Sequence, residues 1–312
     1  MSGTTSGPGV SVAGPDPRPG WLPDAVARAG ARLVAPGPET EGLLWFGGDL
    51  ADLREALTSA PGTRWVQLPS AGVDAYAEGG FFAADGVTWT SAKGAFSRPV
   101  AEHALALTLA LLRHLPERAR ARSWGESAGT SLFGADVLVL GAGGIARTFL
   151  DLLAPFGTRN VVVRRRAEPV DGAERTVTTD HLEAELARAD VVVVAAALTT
   201  QTRALLGDAE LAAMRPGAVL VNIARGGLVD TDALVAALAS GHLGGTAVDV
   251  TDPEPLPDGH PLWDLPTALI TPHTADTAEM VAPLLRARVE ENLGRFVAGQ
   301  ALEGVVDHAA GY

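Results

Sequence analysis

The sequence predicts an α/β fold with two doubly wound domains, each consisting of a parallel sheet with helices on both faces. Two observations support this prediction. Short apolar runs alternate with helical patterns from Val10 to Thr90, and a second alternation begins at Asp136. In the second region the apolar runs are nearly continuous stretches of valine, which are typical of strands buried on both faces of a sheet.

The first region contains five candidate strands and at least two candidate helices. The strands are Val10–Ala13, Arg32–Ala35, Leu43–Phe46, Trp65–Gln67 and Val87–Thr90, and the helices include Pro23–Ala29 and Leu50–Ala60. Residues 1–9 precede these elements and are rich in Ser, Thr, Gly and Pro, without an apolar core. We expect a disordered tail there rather than a signal peptide.

A long helical stretch, Pro99–Arg122, joins the two regions. Its apolar residues recur at helical spacing, and a proline near its start suits the first turn of a helix. Pro116 is expected to kink this helix or to end its first half. The strands of the second region are Val137–Leu140, Val161–Val163, Val191–Ala197, Val219–Ile223, Thr246–Val250 and Ala268–Thr271, and a final helix covers roughly Ala278–Gly299.

The segment after the first strand of the second region matches a dinucleotide-binding pattern. Gly141, Gly143 and Ala146 occupy the three small positions of G-x-G-x-x-G/A. The first permits a tight turn, the second lets a pyrophosphate approach the backbone, and the third lets the helix pack on the strand. Gly144 and Ile145 open that helix, whose free N–H groups and positive dipole end favour phosphate.

The residues after the next strand indicate which dinucleotide binds. An Asp or Glu there would accept a hydrogen bond from the ribose 2′-hydroxyl of NAD. This chain instead has Arg164, Arg165 and Arg166, which suit the 2′-phosphate of NADP. A solvated basic loop is the alternative, and Glu168 could fold back on the arginines. We favour NADP as the cofactor and keep NAD as the alternative.

Three polar residues follow three other strands of the second region. They are Arg225, Glu254 and His273. In an open α/β sheet, ligands bind outside the carboxyl ends of the strands. An arginine binds a carboxylate through two hydrogen bonds, and a histidine held by a glutamate acts as an acid or base near neutral pH. Together the three residues predict a site that binds a small anion and moves a proton on it.

These segments, in this order and behind the glycine turn, resemble the D-isomer-specific 2-hydroxyacid dehydrogenase family, and among its members those of the glyoxylate/hydroxypyruvate reductase type. The resemblance covers most of the chain. It includes Ser70-Ala71-Gly72-Val73-Asp74, Arg98-Pro99-Val100-Ala101-Glu102-His103 and Leu220-Val221-Asn222-Ile223-Ala224-Arg225-Gly226-Gly227-Leu228-Val229-Asp230. It implies a flavodoxin-like substrate domain split between residues 1–98 and 275–312, with a Rossmann dinucleotide-binding domain inserted at residues 99–274.

The resemblance also implies roles for individual residues. It assigns Arg225 to the substrate carboxylate and carbonyl oxygen, His273 to proton transfer, and Glu254 to His273 as its partner. Further implied contacts are those of the Ala71, Gly72 and Val73 backbone with the substrate carboxylate, and those of Ala224, Asp249 and His273 with the cofactor.

The implied function is that of an NAD(P)-dependent dehydrogenase, which transfers a hydride between its cofactor and a small 2-hydroxy or 2-oxo acid of the glyoxylate or hydroxypyruvate type. Two alternatives stay open. One is a phosphoglycerate-, formate- or phosphite-type dehydrogenase on the same scaffold. The other is a non-catalytic, dinucleotide-sensing binding protein, which the loss of Arg225, Glu254 or His273 would favour; all three are present.

Three residues near the expected site have two interpretations each. Asp276 stands where the family often has small or neutral residues, and it either perturbs the site or faces solvent. Phe96 either shapes the substrate pocket or packs at the hinge. His103, in the linking helix, is expected to be a packing or interface residue rather than the catalytic acid.

The composition argues against several classes of function. The net charge of −13 disfavours nucleic-acid binding, which needs a basic face. Without cysteine, and with no pair of histidines at metal-ligand spacing, no metal site is expected. The longest apolar stretch, Ala104–Leu112, is too short to span a bilayer. We expect a cytoplasmic protein, and Pro99–Arg122 with Trp124 offers apolar surface for a homodimer.

Overall fold

The structure is a computed structural model and describes residues 7–83 and 86–307. The chain divides into two compact units, residues 1–96 with 278–312 and residues 97–277. The boundaries expected from the sequence, after residues 98 and 274, differ from these by two and three residues. Of the expected tail, residues 1–6 lie outside the described residues. The tail prediction is wrong for Gly9, which already belongs to the first strand.

The first unit contains a parallel sheet of five strands. The strands are β1 (Gly9–Ala13), β2 (Arg32–Leu33), β3 (Gly42–Trp45), β4 (Trp65–Gln67) and β5 (Thr88–Thr90), and the helices among them are α1 (Leu22–Arg28), α2 (Leu50–Ser59) and α3 (Asp74–Glu78). The strand order is β2-β1-β3-β4-β5, and every pair is parallel. This is the flavodoxin-like order, and it confirms the predicted fold class for this unit.

The second unit opens with two helices and continues as a parallel sheet of seven strands. The helices are α4 (Ser97–Leu112), α5 (Leu115–Arg120), α6 (Gly144–Leu153), α7 (Leu182–Leu186), α8 (Asp208–Ala213) and α9 (Thr231–Ala239), and the strands are β6 (Asp136–Leu140), β7 (Arg159–Val163), β8 (Arg175–Val177), β9 (Val191–Val194), β10 (Val219–Asn222), β11 (Gly245–Val248) and β12 (Ala268–Ile270). The order is β8-β7-β6-β9-β10-β11-β12. It is the Rossmann order with a seventh strand added, and it confirms the predicted fold class of this unit.

The linking helix breaks where its proline requires a break. Helix α4 ends at Leu112, and His114 has a φ of 53°, in the left-handed region. Pro116 then lies in the first turn of α5, where a backbone N–H has no acceptor within the helix, so proline breaks no hydrogen bond there. The expectation that Pro116 ends the first half of the stretch is confirmed.

The last helix, α10 (Ala278–Ala298), belongs to the first unit. Side chains alternate between the two faces of a strand, so β3 contributes to two cores. Leu44 packs in the same core as Leu293 and Phe296 of α10, whereas Leu43 and Trp45 pack in the opposite core. Both faces of this sheet are therefore covered, as a doubly wound fold requires. Within the described ranges, no helix has the length and hydropathy that a membrane span needs.

Candidate active site

The predicted proton-transfer and anion-binding residues lie at the carboxyl ends of neighbouring strands in the second sheet. Strands β10, β11 and β12 are neighbours and run parallel, so their carboxyl ends meet at one edge of the sheet. Arg225 follows β10, Glu254 lies in the segment after β11, and His273 follows β12. The sequence predicts that these segments follow strands, and the sheet order supplies the fact that the three strands are adjacent.

His273 and Glu254 form a hydrogen-bonded pair. Nδ1 of His273 lies 2.7 Å from Oε1 of Glu254, and the N–H of Thr251 donates to the other carboxylate oxygen at 3.4 Å. Nε2 of His273 makes no hydrogen bond to another described residue, and about half of the imidazole is exposed. The carboxylate thus fixes one ring nitrogen and leaves the other available for proton transfer.

The backbone of His273 is held in a left-handed conformation, with a φ of 51°. Its N–H donates to the carbonyl oxygens of Asp249, at 2.8 Å, and of Thr271, at 3.0 Å. Non-glycine residues rarely adopt this conformation, because the Cβ atom is crowded by the backbone. The segment after β11 therefore stabilises an unfavourable backbone conformation that directs the imidazole towards Glu254.

Asp249 is the buried anchor of this segment, with 2% of its surface exposed. Its Oδ1 accepts hydrogen bonds from the hydroxyl of Thr271 at 2.6 Å and the N–H of Thr274 at 2.9 Å, and its Oδ2 accepts from the N–H of Ala275 at 3.1 Å. Burial raises the pKa of the Asp249 carboxyl, but hydrogen bonds from His103, Thr271 and these two amides outweigh it and lower the pKa to about 2. Asp249 is therefore a carboxylate at any physiological pH.

His103 belongs to the same network, although the sequence predicts only a packing or interface role for it. Its Nε2 lies 3.1 Å from the hydroxyl oxygen of Thr271 and 3.5 Å from Oδ1 of Asp249. Sequence reasoning also misses Thr271, whose only signal is its position two residues before His273. Nothing in the spacing of the sequence shows that α4 reaches the end of β12, so this contact could not be predicted.

Arg225 is half-buried in a turn that two other residues organise. Asn222 donates its side-chain amide to the carbonyl oxygen of Arg225 at 2.9 Å and accepts the N–H of Ala224 at 3.1 Å. The guanidinium of Arg225 donates to the carbonyl oxygen of Ala224 at 2.7 Å. At Gly226, a Cβ atom would lie 2.0 Å from the carbonyl group of Thr251, so only glycine lets this turn pack against the segment after β11.

Asp276 is a further ionisable group at this site. It is half-buried, and burial raises the pKa of its carboxyl, with a further upward contribution from Asp249; the charges of His273 and Arg225 act in the opposite direction. The sequence leaves open whether Asp276 perturbs the site or faces solvent. The structure places it within electrostatic reach of both predicted substrate-handling residues. Phe96 is 6% exposed, which favours its packing role.

The glycine turn has the geometry that a dinucleotide pyrophosphate requires. Gly141 has a φ of 110°, and a Cβ atom there would lie 2.4 Å from the carbonyl oxygen of Ala195. A Cβ atom on Gly143 would have open space around it, so the backbone can be approached closely. Helix α6 begins at Gly144 without a side-chain cap, and Ala146 is fully buried against the sheet. These residues fit a bound dinucleotide.

The three arginines after β7 lie beside this turn. The N–H of Gly141 donates to the carbonyl oxygen of Val163, the last residue of β7, at 2.8 Å. Nη2 of Arg164 lies 3.3 Å from Oε2 of Glu168, so the contact that the sequence allows between Glu168 and the arginines is present.

The backbone segment predicted to meet the substrate carboxylate lies in the first unit, between β4 and α3. The hydroxyl of Ser70 donates to the carbonyl oxygen of Gly72 at 2.7 Å and closes a tight turn. The N–H groups of Ala71, Gly72 and Val73 donate no hydrogen bond to any residue that the structure describes. Three consecutive amides of this kind suit an anion.

A sequence model described as D-isomer specific 2-hydroxyacid dehydrogenase, NAD binding domain, matches residues 105–275. Three curated relatives illustrate the similarity. An uncharacterized protein in the proB 3′ region of Corynebacterium melassecola is 39% identical over 80% of this chain and 84% of its own length. The D-3-phosphoglycerate dehydrogenase of Mycobacterium bovis is 32% identical over 90% of this chain but only 53% of its own length. Glyoxylate/hydroxypyruvate reductase B of Pectobacterium carotovorum is 32% identical over 86% of this chain and 85% of its own length.

The fold is also similar to that of solved structures. A D-isomer specific 2-hydroxyacid dehydrogenase from Xanthobacter autotrophicus, in complex with NADPH and MES, superimposes with a TM-score of 0.83. It is 28% identical, and the match covers 98% of this chain and all of the other.

Proposed function

Because this chain belongs to the D-isomer specific 2-hydroxyacid dehydrogenase family, we propose that it interconverts a small 2-oxo acid of the glyoxylate or hydroxypyruvate type and the corresponding 2-hydroxy acid. It is an NAD(P)-dependent oxidoreductase, with NADP favoured. The observation that carries the proposal is the 2.7 Å pair of His273 and Glu254, which lies with Arg225 at the ends of three adjacent strands. The similarity to glyoxylate/hydroxypyruvate reductase B, which covers 86% of this chain and 85% of that protein, supports this substrate type.

His273 is the proton donor in the proposed reduction. A bound nicotinamide cofactor supplies the hydride, and the forming alkoxide needs a proton. Protonated His273 presents Nε2 for this transfer, while Glu254 at Nδ1 stabilises the imidazolium. In the reverse direction, neutral His273 accepts the proton of the hydroxyl group.

Arg225 binds the substrate carboxylate and polarises the carbonyl oxygen in this proposal. Arg225 is half-buried, and an ionic hydrogen bond is stronger there than in water. Binding of the carboxylate by the amides of Ala71, Gly72 and Val73 stays a prediction.

The residues proposed to hold the cofactor are Gly141, Gly143, Gly144 and Ile145 for the pyrophosphate, Arg164 and Arg165 for a 2′-phosphate, and Ala224, Asp249 and His273 near the nicotinamide. The burial and the hydrogen bonds of Asp249 support a further role, because both of its oxygens already hold the segment that carries His273. Contact of Asp249 with the carboxamide stays a prediction.

The phosphoglycerate-type alternative has one specific observation in its favour, the 32% identity to phosphoglycerate dehydrogenase over 90% of this chain. Asp276 argues against it, since a carboxylate at this edge disfavours a substrate that carries an additional phosphate.

A cytoplasmic homodimer is also part of the proposal. The absence of cysteine and the 98% exposed Trp124 near α5 support it, and sedimentation velocity tests the dimer.

The proposal is tested by following the absorbance of NADPH and NADH with a panel of substrates that contains glyoxylate, hydroxypyruvate and longer 2-oxo acids. 3-Phosphoglycerate, formate and phosphite are tested with the oxidised cofactors. We expect the highest kcat/KM with a short 2-oxo acid and NADPH. Tight cofactor binding without turnover of any panel member would instead favour the non-catalytic binding protein.

A further inference from the structure

One carboxylate binds two of the three arginines that follow β7. Glu168 contacts Arg164, with 3.3 Å between Nη2 and Oε2, and Arg166, with 3.7 Å between Nη1 and Oε1. Arg165 is exposed and makes no ion pair or hydrogen bond within residues 7–83 and 86–307. Of the three cations beside the glycine turn, two are thus paired with Glu168 and the third, Arg165, is not.

Of the two contacts of Glu168, the one with Arg164 is the better placed to affect a ligand at the glycine turn. Only 22% of the Arg164 side chain is exposed, against 64% for Arg166. The N–H of Arg164 donates to the carbonyl oxygen of Val177 in β8 at 3.0 Å, which fixes the start of the arginine segment. The hydrogen bond between Gly141 and Val163 places this fixed position next to the glycine turn. Arg164 is therefore the most buried of the three cations.

We propose that Glu168 sets the cofactor preference of this chain by competing with the 2′-phosphate of NADP(H) for Arg164 and Arg166. The inference rests on the dinucleotide site of the proposed function. It adds a residue, Glu168, that opposes the binding of a 2′-phosphate by the arginines. The preference for NADP(H) over NAD(H) should therefore be weaker than the arginine cluster alone predicts.

The competition follows from charge and hydrogen-bonding capacity. A 2′-phosphate needs the guanidinium groups that Glu168 now pairs with, and a carboxylate left beside the phosphate repels it. The 2′-hydroxyl of NAD(H) has the opposite requirement, since it donates a hydrogen bond that a carboxylate accepts. The same Glu168 thus weakens the binding of one cofactor and tolerates or assists the other. Because Glu168 is 59% exposed, solvent and salt screen the effect and keep it modest.

The test is a binding measurement on wild-type protein and Glu168→Gln. Dissociation constants for NADPH and NADH are measured by isothermal titration calorimetry at low salt, without substrate. We expect Glu168→Gln to bind NADPH about two- to fivefold more tightly and NADH equally or less tightly. Adenosine 2′,5′-bisphosphate and AMP, as fragments with and without the 2′-phosphate, should show the same divergence. The change in NADPH affinity should diminish at high salt.

Asp171→Asn is the matched control, because it removes the same charge from an exposed position three residues away, and Asp171 makes no ion pair with the arginines in the described structure. An unchanged ratio of the two dissociation constants in Glu168→Gln overturns the inference, and so does an equal change in Asp171→Asn. Wild-type protein that binds neither cofactor contradicts the proposed function itself, whereas cofactor binding with an unchanged ratio contradicts only the role of Glu168.

Discussion

The hydroxyl of Thr271 donates a hydrogen bond of 2.6 Å to Oδ1 of Asp249. This contact joins the end of β12 to the end of β11, and His273 and Glu254 follow these two strands. The distance between the two predicted catalytic groups therefore depends on a buried carboxylate that is expected to touch neither the reacting carbon nor the transferred proton. Loss of that carboxylate should affect both stability and activity.

We expect Asp249→Asn to destabilise the protein by roughly 2 kcal/mol at neutral pH, as the pKa shift from 3.8 to about 2 implies. The folded-state pKa lies below the unfolded value, so this contribution is fully present above about pH 4 and is lost as the pH falls towards 2. Urea unfolding of both proteins from about pH 2 to about pH 7, a range that runs from the folded-state pKa to well above the unfolded value, measures it. A difference in stability that does not change with pH would show that the charge of Asp249 is not responsible.

His273→Gln should lower kcat for 2-oxo acid reduction by about 10²- to 10⁴-fold, because the amide cannot supply the proton. Cofactor affinity should change little, since His273 is only one of the proposed contacts and the residues proposed for the pyrophosphate and the 2′-phosphate are unchanged. Steady-state kinetics and calorimetric titration with NADPH separate the two effects. His181→Gln is the control, as His181 lies on the exposed segment before α7. An equal loss of cofactor binding and turnover in His273→Gln would contradict the role in proton transfer.

The sequence predicts the glycine turn and the three polar segments because local features specify them. A tight turn needs small residues at fixed spacing, and a buried strand needs a short apolar run. Contacts between residues that are distant in the sequence are harder to predict. The contact of His103 with Thr271 joins residues 168 positions apart, and no local pattern records such a separation. The environment of Asp276 depends in the same way on where Arg225 and Asp249 lie.

Strand ends are the other place where prediction and structure differ. The run expected to be a strand over Val191–Ala197 ends at Val194, since small residues alone do not show where backbone pairing stops. Strand β8 (Arg175–Val177) is not predicted, because an edge strand that begins with an exposed arginine has no apolar run. The strand expected over Arg32–Ala35 is limited to Arg32–Leu33. It is also an edge strand, and both residues of the observed strand are exposed.

Asp276→Asn should stabilise the protein at neutral pH. Burial raises the folded-state pKa of this carboxyl above its ordinary value of 3.8, so ionisation opposes folding once the pH exceeds that value. The difference between the variant and the wild type should vanish below about pH 4, where the acid is neutral in both states. The variant should also show a lower KM for anionic substrates, because one negative charge near Arg225 is removed. Urea unfolding and KM measured across pH check both points, with the exposed Glu279→Gln as the charge-matched control.

Asn292→Ala should destabilise the first unit by about 1–3 kcal/mol, since it leaves buried polar groups without partners. Asn292 is fully buried in α10 and donates to the side-chain oxygen of Gln67 at 2.7 Å and to the carbonyl oxygen of Glu303 at 2.9 Å. It also accepts the N–H of Glu303 at 2.8 Å. Denaturant unfolding measures the loss, and Gln300→Ala on the exposed surface is the control. Equal stability of the two variants would mean that this network contributes little.

Gly226 and Gly227 allow a direct test of how closely the Arg225 turn must pack. A Cβ atom on Gly226 would lie 2.0 Å from the carbonyl group of Thr251, which is backbone and cannot move aside alone. On Gly227 the nearest atoms would be Nη1 of Arg203 and Oδ2 of Asp252, both at 3.3 Å and both at the ends of side chains. We therefore expect Gly226→Ala to cost about 1–3 kcal/mol of stability and to lower kcat/KM by about 10²-fold through displacement of Arg225, while Gly227→Ala behaves nearly as the wild type. Urea unfolding and steady-state kinetics on the pair measure both effects, and comparable behaviour of the two variants would show that the turn tolerates displacement.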